Sequence, residues 1–120
     1  MERLFVGIGS ISALLAVAAG AFGAHALRQR LSPEMLNAFE IGARYHMYHS
    51  LAIIAVAWAS TRWPGAGMVG WLFVAGIVVF SGSLYLLGLT GQRWLGAVTP
   101  LGGLGFLFGW LVLAWSAVKA

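Results

Sequence analysis

The chain has 120 residues, of which 61% are hydrophobic and 8% charged, with a net charge of +4 and no cysteine. A soluble domain of this length cannot hide so much apolar surface, so the composition indicates an integral membrane protein with one domain over residues 1–120. The missing cysteines exclude disulfides, thiolate metal sites and iron–sulfur clusters. Arg3, Arg28, Arg30, Arg44, Arg62, Arg93 and Lys119 stand singly or in one pair at segment ends. That is the ordinary placement beside membrane spans, so the positive charge is not a nucleic-acid footprint.

The first apolar segment covers residues 4–26. Glu2 and Arg3 ahead of an apolar run, with Ala24-His25-Ala26 near its end, give it the outline of a signal peptide. The run is long for a signal core, however. Ser12, Ala16, Gly20 and Ala24 recur every fourth residue as a smooth face for close packing, so it reads as a retained helix. A short basic connection, 27–31, follows. Ser32-Pro33 then has the form of an N-cap and a first helical position. Residues 33–41 are amphipathic, with Met35, Leu36 and Phe39 opposed to Glu34, Asn37 and Glu40. They form either a lid helix or the polar extension of the second segment. A continuous helix over 33–61 would be about 43 Å long, more than a bilayer core, which predicts a bend near Gly42 or a projecting end. The second span is expected at 42–61, with Trp63 at the interface and Pro64 as a stop. His46 and His49 then lie about one and two turns deep.

The third span is expected at 68–89, with Ser81, Ser83 and Tyr85 in its later half. Thr99-Pro100 repeats the Ser32-Pro33 signal and opens the fourth span, 99–118, where Gly105 and Gly109 form a GxxxG packing pair. Four crossings joined by short connections give an all-α, up-down bundle of four transmembrane helices, with a short amphipathic segment before helix two. Both termini fall on the side of Arg3, Arg62 and Lys119. Arg28, Arg30, Arg44 and Arg93 fall on the other side, and the excess of one basic residue favours that side as cytoplasmic.

This topology brings the end of span one, the start of two, the end of three and the start of four to one face. It gathers His25, Arg28, Glu40, Arg44, Tyr45, His46, His49, Ser81, Tyr85, Arg93 and Thr99 as a candidate ligand or partner site, since ionisable groups in membrane helices are costly. Glu40 and Arg44 have the spacing and order of a helical ion pair, with Arg28 or Arg93 as alternative partners for Glu40. His46 and His49 share a helix face and, with His25, offer imidazoles to zinc, copper or haem iron. The plainer reading of the same side chains is interhelical hydrogen bonding toward backbone, Ser81, Ser83 or Tyr85. No serine or threonine has a histidine–carboxylate relay, and no glycine-rich loop follows a strand, so no catalytic residue is named.

Several stretches carry a resemblance. They are Gly20-Ala21-Phe22-Gly23-Ala24-His25-Ala26-Leu27, Tyr45-His46-Met47-Tyr48-His49-Ser50-Leu51-Ala52, Phe80-Ser81-Gly82-Ser83-Leu84-Tyr85, Arg93-Trp94-Leu95-Gly96 and Thr99-Pro100-Leu101-Gly102-Gly103. In them the chain resembles a family of small bacterial membrane proteins designated domain of unknown function 423. The resemblance implies a multi-pass, four-helix protein of the bacterial inner membrane and brings no substrate, cofactor or catalytic residue. The leading expectation is a non-enzymatic binding or scaffold protein, with membrane lipids, a membrane protein or a second copy of the chain as partners and no cofactor. The alternatives are a histidine-based metal or haem protein and a small oligomeric transporter.

Overall fold

A computed structural model describes residues 1–120, and the chain is all-helical. Helix α1 is Glu2–His25 and α2 is Pro33–Ala59. Helix α3 is Ala66–Thr90 and α4 is Leu95–Lys119. By length and composition α1, α3 and α4 can each cross a membrane. Helix α2 is as long but carries Glu34, Glu40 and Arg44 in its first half.

The helix starts follow local chemistry in part. The Ser32 hydroxyl accepts the Met35 backbone N–H at 3.2 Å and Pro33 is the first helical residue, as the sequence predicts. Helix α2 then runs unbroken to Ala59. The amphipathic stretch is its first turns, and there is no break at Gly42. That glycine is instead a contact point, where a Cβ would stand 3.1 Å from Leu84 and 3.2 Å from the Tyr85 ring. The Thr99-Pro100 signal misleads. Helix α4 begins four residues earlier, and Pro100 lies inside it near the start. There proline forfeits one bond, to the Gly96 carbonyl. Thr99 is free to bridge helices, with its hydroxyl 2.6 Å from that of Ser83 on α3. Gly65 (φ 89°) and Gly91 (φ 73°) occupy left-handed conformations that turn the chain at the two ends of α3.

Each helix runs antiparallel to the next. Gly9 abuts Ser50 and Ile54 while Gly23 abuts Phe39. Gly42 meets Tyr85 while Gly88 meets Met35. Gly76 meets Phe106 while Gly109 meets Phe73. Helix α2 therefore sits against both α1 and α3, and α3 against α4. The core closes at the end holding the α2–α3 turn, where Phe5, Ile53, Val56, Val69 and Phe73 have no solvent exposure. There α1 reaches α3, with the Phe5 ring against Gly70 and edge-on to Trp71 at 5.4 Å.

The close-packed stripe of α1 is Phe5, Gly9, Ala16 and Gly23, all buried, with Ser12 half-buried between them. It excludes the expected Gly20, which has open space where a Cβ would go, and Ala24, which is exposed. A four-residue repeat drifts about 40° per step around an α-helix, so its later members rotate out of the seam, whereas a seven-residue repeat stays in it. Helix α4 behaves alike. Leu95, Gly102, Gly109 and Ser116 are buried at intervals of seven, and Gly105 makes only ordinary contacts. Within α3, residues Ile77–Ser81 form a π-helical turn. It presses the Phe80 backbone against Gly102 so closely that a Cβ there would overlap it.

Candidate functional site: a cleft beside His46

His46 stands at the midpoint of the 27 residues of α2, and Ser12 near the middle of α1. The two histidines are thus near half-height of the bundle. Above the Phe5 contact, α1 and α3 separate and leave a cleft of about 520 Å³. Its walls are Ile8, Ile11 and Leu15 on one side and Val74, Ile77 and Val78 on the other, with Ile53 of α2 behind. Exposed Ile11, Leu15 and Val78 form the rim, so the cleft opens sideways. Ser12, His46, Ser81 and Tyr85 supply its polar lining. The volume and the mix of apolar walls with a few convergent polar groups are those of small-molecule sites. The π turn contributes Ile77 and Ser81 to the lining, and such turns often occur at functional sites. A second, wholly apolar hollow of about 360 Å³ continues toward the His25 end, lined by Phe22, Phe39 and Leu89 and sharing Tyr85 with the first.

The polar groups form a chain. His46 Nδ1 is 2.8 Å from the Tyr85 hydroxyl, and His46 Nε2 is 3.0 Å from the Ser12 hydroxyl. Ser12 is 2.6 Å from the Ser50 hydroxyl, which donates to the His46 carbonyl at 2.7 Å. Ser81 donates across helices to the Gly42 carbonyl at 2.7 Å. No buried side-chain nitrogen or oxygen lacks a partner.

His49 occupies a different seam, between α2 and α4. Its ring stacks on Phe106, with centroids 3.6 Å apart and planes 9° apart, and meets Phe73 edge-on. Its Nδ1–H donates to the Tyr45 carbonyl at 2.9 Å, and its Nε2 accepts the Trp110 indole N–H at 3.0 Å. All four ring nitrogens of His46 and His49 are therefore engaged within the protein. His25 is exposed at the end of α1, away from both. No group of three His, Asp or Glu side chains is arranged to hold a metal ion, so the fold does not assemble His25, His46 and His49 into one ligand set.

The remaining sequence-derived site residues divide likewise. Glu40 and Arg44 do not pair; they line a shallow groove with Ala16, Gly20 and Ala24 on the opposite side of α1. Tyr45 is exposed beside Tyr48 and packs on Phe80. Arg28 is exposed in the α1–α2 connection. Arg93 pairs with Glu34, Nη1 to Oε1 at 2.7 Å and Nη2 to Oε2 at 3.2 Å, tying the start of α2 to the α3–α4 connection. Hydrogen bonding and charge from Glu34 raise the Arg93 pKa above its usual value. Sequence reasoning assigned Ser12 to packing alone and passed over Ser50, Trp110 and Glu34. Ser50 was detectable as the residue one turn beyond His46, and Ser12 as the one hydroxyl in the stripe of α1.

Residues 19–103 match the family described as Protein of unknown function (DUF423). The chain is 47% identical over 120 residues to the UPF0382 membrane protein YwdK of Bacillus subtilis (strain 168), covering 98% of each chain. It is 45% identical to the UPF0382 membrane protein SSP2132 of Staphylococcus saprophyticus, again over 98% of each. With the UPF0382 membrane protein of Staphylococcus epidermidis it shares 44% identity, over 98% of this chain and 97% of the relative. No solved structure matches it. An all-helical chain with three membrane-length apolar helices, matched by this family over more than half its length, belongs to the DUF423 family of membrane proteins of unknown function.

Proposed function

We propose that this protein crosses the bacterial plasma membrane four times as a helical bundle and binds a small amphipathic molecule from the bilayer in the cleft between α1 and α3. The carrying observation is a side-opening apolar cleft with a polar cluster at half-height. A ligand dissolved in the membrane enters such a cleft without crossing a headgroup layer. Helix α2 is the fourth span, although it is the most polar, because α1 and α3 pack against it and its histidines find partners inside the protein. The reading is one of binding rather than catalysis, since the hydroxyls are committed to hydrogen bonds within the protein.

Native mass spectrometry of protein released from its own membranes in mild detergent tests this reading. Gly82 lines the cleft and has open space where a side chain would go. Gly82→Phe fills the cleft without displacing a helix. Bound mass on the wild type that is lost in Gly82→Phe is the expected result. Bare wild-type protein, or an adduct equally present on the variant, overturns it.

A further inference from the structure

The direction of the hydrogen bonds around His46 follows from counting protons. Ser50 has one hydroxyl proton, and a backbone carbonyl can only accept, so that proton goes to the His46 carbonyl. Ser50 must then accept from Ser12. With the Ser12 proton used, Ser12 must accept from His46 Nε2, which therefore carries the ring proton. No carboxylate pairs with this ring, and an unpaired cation at half-height is costly, so the imidazole is neutral and Nδ1 is an acceptor. Tyr85 therefore donates to Nδ1. The whole chain runs one way, from Tyr85 through His46, Ser12 and Ser50 to backbone. Ser81 has likewise given its proton to the Gly42 carbonyl.

Every polar hydrogen bordering the cleft thus points away from it, and what remains for a ligand is lone pairs on Tyr85 and Ser12. Resting on the cleft reading above, we infer that the site selects ligands that donate a hydrogen bond: single-chain, membrane-dissolved alcohols rather than their ketone or ether counterparts. A hydroxyl placed beside Tyr85 donates to the phenol oxygen and leaves the internal chain intact. A carbonyl in the same place meets only lone pairs and stays unpaired in an apolar cleft, which is where an unmade hydrogen bond costs most. The apolar hollow beyond Tyr85 accommodates part of the alkyl chain.

The test uses the full-length protein in nanodiscs and two radiolabelled probes, dodecan-2-ol and dodecan-2-one, each read as excess binding over empty nanodiscs. The expected result is about tenfold tighter binding of the alcohol, the equivalent of one hydrogen bond made or missed. Ser12→Ala removes the acceptor for the His46 Nε2 proton and turns a donor toward the cleft, so the preference moves to the ketone. Gly82→Phe abolishes binding of both. Equal binding of the two probes to wild type, with both lost in Gly82→Phe, overturns the selectivity and leaves the cleft standing. Binding of neither probe, or binding that Gly82→Phe does not touch, overturns both. A wild-type preference for the alcohol that Ser12→Ala leaves unchanged refutes the assigned direction of the chain.

Discussion

His49 turns into the seam between α2 and α4, where Phe106 lies flat on its ring and Trp110 closes the outer edge. One turn earlier, His46 meets the side where α1 and α3 have parted, and its hydrogen-bonding partners border open space. Both rings are buried and both are fully bonded, yet a change at one disturbs a packed interior while a change at the other disturbs the wall of a cavity. Burial and satisfaction therefore do not distinguish a histidine sealed in a seam from one that lines a cleft. Their surroundings do, because the space left by His46 merges with an existing cleft, whereas the space left by His49 is a new void in a packed seam.

That contrast can be broken by thermal unfolding in detergent. The sealed seam of α4 is most sensitive at Gly102, where any side chain collides with the Phe80 backbone. Gly102→Leu is expected to cost about 3 kcal/mol or more, and a melting temperature close to wild type would show that α3 and α4 do not meet there. Next comes His49→Ala, which removes the stack on Phe106 and strands the Trp110 N–H, at about 2–3 kcal/mol. His46→Ala is expected to cost less, about 1–2 kcal/mol, because it widens an existing cleft rather than opening a new cavity and leaves only the Tyr85 hydroxyl without its acceptor. If it proves as damaging as His49→Ala, the difference between the two sides disappears. Smallest is Arg93→Gln. Its partner Glu34 and Arg93 itself are 64% and 74% exposed. A solvent-screened pair of this kind leaves the melting curve where it was, and a clear drop would mean that the ion pair holds the α3–α4 connection in place.

The helix count and the Ser32-Pro33 start were legible because each depends on neighbours in sequence. What was not legible depends on angular phase and cross-chain distance. The small residues of α1 invited a four-residue stripe, but the seam follows Gly9, Ala16 and Gly23, and no local feature distinguishes these from Gly20. Glu40 has the better spacing to a basic residue on its own helix, yet Glu34 forms the ion pair, because the α3–α4 connection folds back over the first turn of α2. The polar residues were expected to gather at one end. Instead Tyr85 and His46 meet at half-height across helices, 39 positions apart in sequence. The π turn leaves no mark in the run Ile77-Val78-Val79-Phe80.

That turn also acts as a spacer of rotation. A π turn accommodates one residue more than the α-helical repeat, so Gly70, Phe73 and Gly76 before it and Ser83, Leu84 and Gly88 after it are offset by one residue in sequence phase yet belong to one rod. Loss of a single residue from 77–80 would let the segment relax into regular α-helix, and the about 100° lost with the residue is regained as the wide turn tightens. Tyr85 would still face His46, and Gly88 would still face Met35. Length in this stretch therefore has one residue of slack in one direction: a deletion is taken up by the turn, whereas an insertion has nothing to absorb it and re-aims the later half of α3 by about 100°.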